Sequence, residues 1–415
     1  MSAMGNVTKQ TFQALSVRNF RLYFIGQLIS ISGTWMQAVA QGWLVLQLTN
    51  SGLALGLVIA LQFVPMLLVG SWGGLVVDRM PKRKILFITQ SLSGVLALAL
   101  GILVLLGHIH VWEVFIMAFF LGSVNVFDTP ARQSFVQEMV GRDLLANAVS
   151  LNSVLVNGGR IIGPAIAGIV IATAGIPVCF FVNAASFAAV ILALAMMNKE
   201  QLTPIRRVAR AKGQLREGFR YAFQHDTIGS VLIAVGIVGV FAFNFTVSIP
   251  LLARTTFGGT AATYGLFMAA MGIGAVFGGL AIAHRSRPSL PMLSALCLAF
   301  GVLLIAVSLA PTEWVALALL VPMGAASIAF VSTANATLQM ASREEMRGRV
   351  MALFAIGFLG STPIGAPLIG AICGATNPRV GLALGGVATL LAATPLILAA
   401  RKNRTPTERP LAMIP

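Results

Sequence analysis

Runs of about twenty mostly apolar residues recur twelve times along this chain, and a run of that length spans a bilayer as an α-helix rising 1.5 Å per residue. They cover approximately residues 22–46, 53–77, 84–106, 112–133, 147–173, 177–197, 228–252, 263–283, 291–310, 314–336, 350–373 and 380–400. Turn residues punctuate them, as at Thr49-Asn50-Ser51-Gly52, Gly175-Ile176-Pro177 and Thr376-Asn377-Pro378. The short alternating segments of a membrane β-barrel do not occur. Only 10% of residues are charged, against about 25% in soluble domains, too few to cover a water-facing surface. That excludes a soluble multidomain enzyme. The expected fold class is an all-α polytopic membrane protein with 12 transmembrane helices.

A formal charge of +16 invites a nucleic-acid reading, and the placement of the basic residues removes it. Apart from Arg160, Arg254 and Arg379, the 28 Lys and Arg precede span one, lie at or after the end of an even-numbered span, or end the chain. The positive-inside rule then puts both termini and the even-to-odd loops in the cytoplasm. The charge reports topology, with the lipid bilayer as partner and no nucleic acid. Ala38-Val39-Ala40 has the look of a signal-peptide cleavage site, but the preceding stretch is too polar for one and reads as part of span one. Cys179, Cys297 and Cys373 sit singly in apolar runs, so neither disulfides nor a metal site are expected, and no cofactor.

The widest polar interval divides the spans six and six. Residues 1–197 form an expected N-terminal six-helix bundle, 198–227 a cytoplasmic linker, and 228–415 a C-terminal bundle with a tail. In the linker, Leu215, Phe219, Ala222 and Phe223 alternate with Arg216, Glu217 and Arg220, as in a helix lying on the membrane surface or a plain solvated linker. The halves repeat one another. Gly73-Gly74-Leu75 recurs as Gly278-Gly279-Leu280, and Gln137, Leu151, Ile162, Gly163 and Gly168 recur as Gln339, Leu353, Ile364, Gly365 and Gly370.

Gln27, Ser30, Thr34, Gln37 and Gln41 step by three and four along span one, so they share one helical face, flanked by Trp35. Polar groups in lipid need partners, so the stripe either packs on another helix or lines a wet cavity. Five residues over about 21 Å favour the cavity. Further wall candidates are Gln62, Asn125, Asn157, Asn244, Phe245, Asn335 and Phe358. The acids lie in loops and at span ends, Asp78 and Asp128 near the basic side. Arg160 falls about 20 Å inside span five, where a cation needs a partner or water. Two settings fit it: snorkelling toward Asp128 or backbone carbonyls, and facing a cavity and an anionic substrate.

Two motifs carry a family resemblance. Gly74-Leu75-Val76-Val77-Asp78-Arg79-Met80-Pro81-Lys82-Arg83 resembles the loop motif of the major facilitator superfamily, with Pro81 where the family has glycine. Gly159, Arg160, Gly163, Pro164 and Gly168 resemble its antiporter-branch motif, with Ala167 replacing one glycine. Thr129-Pro130-Ala131-Arg132, Leu144-Leu145-Ala146-Asn147-Ala148 and Arg347-Gly348-Arg349-Val350-Met351 further resemble the subfamily of the enterobactin exporter and related multidrug efflux proteins. The resemblance implies two six-helix pseudo-repeats with substrate bound between them near the midplane. It implies a gating latch of Gly74, Asp78, Arg79, Lys82, Arg83, Asp128 and Arg132. In it Asp78 meets the N-terminal end of span eleven near Val350, and Asp128 pairs with Lys82, Arg132 or both.

The function expected is secondary active export of amphipathic small molecules, drugs or a siderophore-like metabolite, by a monomer. Protons are the expected coupling ion, with Asp128 the one acid near the pathway; facilitated export stays open. An importer on the same fold is the alternative within the class, and a non-transporting sensor or assembly protein the alternative outside it. There is no Walker loop or catalytic triad, so the protein is not expected to be an enzyme.

Overall fold

The computed structural model describes residues 12–203, 214–283 and 288–402. The middle of the expected linker, Arg285 and Arg287, Lys9 and the tail beyond Lys402 lie outside the described residues. Span one is Arg18–Thr49, two Gly52–Arg79, three Lys82–Leu105, four Val111–Val140, five Leu145–Ala174 and six Ile176–Met196. Spans eight, nine, ten and twelve are Ala261–Ala283, Leu290–Ser308, Glu313–Ala341 and Pro378–Lys402. Spans seven and eleven, Asp226–Thr256 and Glu344–Ala375, are interrupted. Eleven helices among the described residues are long and apolar enough to cross a membrane by length and composition. Span one falls short of that measure because its polar stripe dilutes 32 otherwise apolar residues.

The two interruptions have local causes. Span eleven stops at Phe358 and restarts at Thr362. Pro363 opens the second piece: it has no N–H to give to the Leu359 carbonyl and its ring crowds that group, so one helix cannot run through. Span seven stops at Phe241 and resumes at Phe245, where the Asn244 amide donates to Val240 O at 2.7 Å and satisfies a carbonyl freed by the break. It then ends in a π-turn, Leu252–Thr256.

The sequence repeat becomes a packing repeat. Spans two and four pack together as spans eight and ten do, and three and six as nine and twelve do. Gly73 lies against Val126 so closely that a Cβ would collide with it, and its counterpart Gly278 lies the same way against Ala325. Large apolar side chains such as Leu68, Phe277 and Leu391 face outward, as a lipid-immersed surface requires.

Spans two and five of the first set meet spans eleven and eight of the second. This seam is tight where the spans lie away from the basic loops. There Gly52 meets Gly370, Gly56 meets Ala366 and Pro367, and Gly168 meets Ala262. It continues to mid-depth, where Gly272 rests on Ile161. At the basic end Asp78 of span two is exposed, as are Glu344, Glu345 and Arg347 opening span eleven.

Beside that end lies the helix Gln214–Gln224. Glu217 pairs with Arg349 at 2.7 Å, Tyr221 Oη accepts from the Arg343 N–H at 3.2 Å, and Ala222 is fully buried. Phe219 and Phe223 pack with ring centroids 4.5 Å apart, tilted by 37°, and stay exposed.

Candidate functional site

Span four continues seven residues past the expected end at 133, and this changes where its acids sit. Asp128 is twelve residues from Val140, about 18 Å inside the helix end. It is 4% exposed. One carboxylate oxygen accepts from Thr89 Oγ1 and Gln90 Nε2, each at 2.7 Å. The other accepts from Arg132 Nε at 3.1 Å and from Arg132 Nη2, a two-point pair between residues one turn apart. Arg132 Nη1 donates to Gln27 Oε1 on span one. Spans one, three and four therefore share one buried ionic network, the setting in which an interior carboxylate stays tolerable.

One expectation is corrected here and another narrowed. Asp128 is an interior group, not a span-end one, and of the two cations expected to pair with it Arg132 does so and Lys82 does not. Lys82 instead lies 3.9 Å from Glu138, the acid that the longer helix brings to the boundary, and donates to Met80 O at 3.3 Å. Arg83 donates to Leu194 O and Ala195 O, tying the start of span three to the end of span six.

Asp128 and Arg132 face a cavity of about 170 Å³. Of the wall candidates, Thr34, Gln37, Gln41, Gln62 and Asn125 line it. So do Gln90, Ser93, Asn183 and, from span seven, Thr246, which the sequence reading missed. Thr89, Gln90 and Ser93 form a polar cluster on span three that was legible by the same spacing rule as the stripe. The stripe serves both of its possible roles: Gln37 lines the cavity and also accepts from Asn183 Nδ2 at 2.7 Å, while buried Gln27 is committed to Arg132.

The remaining candidates lie elsewhere. Ser30 is buried, and its carbonyl accepts from Thr34 Oγ1. Asn157 donates to Ser153 O, and Asn335 accepts from Gln339. Phe245 and Phe358 both pack on Phe243, at 5.3 and 4.8 Å between ring centroids, beside Asn244 and the two helix breaks. Where the first six spans keep a polar cavity, the second six hold an aromatic cluster. On a background lacking the three buried cysteines, cysteines at cavity-facing Thr34 and Ala38 should react with a water-soluble thiol reagent. Cysteines at Ile25 and Ile29, 53% and 50% exposed on the outward face, should not. Equal labelling of both pairs would remove the cavity from span one.

The span-five motif is a packing device. A Cβ on Gly163 would stand 2.6 Å from Ser32 O and Trp35 Cβ, Gly159 meets Ile31, and Gly265 sits on the Pro164 carbonyl. Span five thereby approaches span one on one face and span eight on the other, as small residues allow in membranes. Arg160, in the middle of the helix, reaches neither Asp128 nor a carbonyl. Its guanidinium lies over the Trp35 ring at 5.2 Å. Asp78 makes no hydrogen bond or ion pair among the described residues, and Gly74 beside it is half-buried.

The fold is two matching sets of six spans, with the buried polar site in the first set. A family model described as transmembrane secretion effector matches residues 9–411. The chain belongs to that family of major facilitator transporters. This family member is 26% identical to the enterobactin exporter EntS of Shigella boydii serotype 18 over 385 residues, 91% of each chain. It is 28% identical to the staphyloferrin A transporter of Staphylococcus aureus over 264 residues, 63% of this chain and 66% of that protein. Among solved structures it superposes on the nucleoside transporter NupG with a TM-score of 0.75 at 11% identity, covering 92% and 98% of the chains. It superposes on an inward-facing, occupied bacterial homolog of the lysosomal transporter Spinster with a TM-score of 0.72 at 17% identity, covering 96% and 99%. The protein is thus a multi-pass membrane transporter for a small molecule and not an enzyme.

Proposed function

We propose that the chain is a proton-coupled exporter of a siderophore-like or other amphipathic small molecule, working as a monomer in a bacterial cytoplasmic membrane with both termini inside. The observation that carries this reading is the Asp128–Arg132 pair on the wall of the buried cavity. A titratable acid in a pathway is the usual carrier of a coupling proton. A proton arriving on the Asp128 carboxylate cancels its charge and loosens its hold on Arg132, which then turns to other partners. An anionic substrate group that engages Arg132 competes with the carboxylate, and so favours proton loss. Proton and substrate thereby exclude one another at a single guanidinium, which is the condition for antiport. The relatives' named substrates support the siderophore-like class. The tight outer seam and the exposed Asp78 support an inward-open reading of this form, with Asp78 unlatched from span eleven.

Asp128→Asn tests the coupling. The single amide oxygen can still accept on one side of the network, from Arg132 or from Thr89 and Gln90, so the fold should survive with some loss of stability, but the position cannot exchange a proton. In proteoliposomes, uptake of iron-free enterobactin or staphyloferrin A driven by an imposed pH gradient should fall at least a hundredfold. Exchange of labelled for unlabelled compound should persist. Parent-like gradient-driven uptake by Asp128→Asn would end the proton-coupling assignment.

A further inference from the structure

Span one carries two tryptophans that each hold a guanidinium from another span. Arg160 of span five lies over Trp35 at 5.2 Å, and Arg254 of span seven lies over Trp43 at 5.7 Å. In each arginine a buried nitrogen is left without a hydrogen-bond partner, Nε of Arg160 and Nη1 of Arg254. The other cations in comparable settings are satisfied. Arg132 has Asp128 and Gln27, and Arg379 donates to Ser308 O at 2.9 Å while stacked on Phe257.

The two sites share their chemistry. A ring face attracts the cation but accepts none of its N–H groups in plane, so the guanidinium edge remains a donor looking for an acceptor. Neither arginine is ion-paired with an acid among the described residues, although a cation inside a membrane calls for a counter-charge. Both stay half-buried, not sealed. Trp35 and Trp43 are eight residues apart, about 12 Å along the helix. Arg160 is at mid-helix, and Arg254 is on the π-turn at the outer end of span seven, where the two bundles meet.

We infer that these Arg–Trp pairs are two successive binding stations for a small organic carboxylate on its way from mid-membrane to the outer face. The inference rests on the export reading and deepens it by naming the charge of the cargo. Each guanidinium supplies a planar two-point donor to the anion, while its tryptophan holds it in place and offers an apolar edge to the rest of the molecule. Arg160/Trp35 is the station reached first. Arg254/Trp43 sits in the closed outer seam and takes the anion only as that seam opens.

The test is equilibrium dialysis of the purified full-length protein with radiolabelled salicylate and, as a neutral comparison, salicylamide, together with vesicle transport of salicylate. The parent should prefer salicylate. Arg160→Gln should weaken salicylate binding about tenfold or more and leave salicylamide within twofold, with Arg160→Lys between. Arg254→Gln should keep salicylate binding within twofold but slow its transport about tenfold. Three results would overturn the proposal: no salicylate preference in the parent, an intact preference in Arg160→Gln, or equal loss of both compounds, which marks a strut. Because salicylate binding needs no pH gradient, its failure is separable from failure of proton coupling at Asp128.

Discussion

Asp128→Ala should destabilise the protein by about 3–5 kcal/mol, the cost of breaking a buried ion pair from one side. Alanine leaves the half-buried Arg132 guanidinium with only Gln27 as an acceptor and orphans the Gln90 donor, while Thr89 falls back on Leu86 O at 3.3 Å. Thermal unfolding in detergent is the measurement, with Asp128→Asn as comparison, since it keeps one of the two acceptor oxygens and should lose less. Replacing both partners, Asp128→Leu with Arg132→Met, should recover part of the loss because no unpaired charge remains. An alanine variant as stable as the parent would mean that the network is not what joins spans one, three and four.

Gly56→Leu should abolish transport, at least a hundredfold, while the protein still folds and reaches the membrane. A Cβ at Gly56 would stand 2.7 Å from the Ala366 carbonyl carbon and 2.8 Å from Pro367 Cα, both backbone atoms that cannot swing aside. Leucine adds three more carbons to that clash. The collision exists only while the outer seam is closed, so the variant is driven toward the form in which spans two and eleven part there. Gly236→Ala, at a helical position with nothing within 4 Å, should transport like the parent.

Much of this arrangement was legible in the sequence because each signal was local and periodic. The twelve apolar runs, the basic loops and the three-four spacing of the span-one stripe follow from one helix and one bilayer. The depth of Asp128 was not legible: residues 134–140 are too polar to count as membrane-spanning, yet the helix continues through them to Val140 and carries Glu138 to Lys82. Of the two cations the loop motif offered to Asp128, Arg132 pairs with it and Lys82 pairs with Glu138, for that reason. The break in span eleven had a sequence sign in Gly360-Ser361-Thr362-Pro363, whereas the break at Ala242 in span seven had none, being set by tertiary packing around Phe243 and Phe300. Gln90 and Asn183 escaped because a single polar residue on an apolar span does not reveal which neighbour it will meet. Arg160 was visibly anomalous from its depth alone, but its ring partner Trp35 needed coordinates.

In the export reading the two sets of six spans rock about the buried site, closing one end as the other opens. Spin-label distances measure this directly, with one pair at His108 and Pro311 on the outer loops and another at Lys84 and Glu345 on the basic side, all four exposed. Going from the parent to Gly56→Leu, the outer distance should lengthen and the basic-side distance should shorten. If both distances stayed as in the parent, or both grew, the spans would not be exchanging access between the two faces.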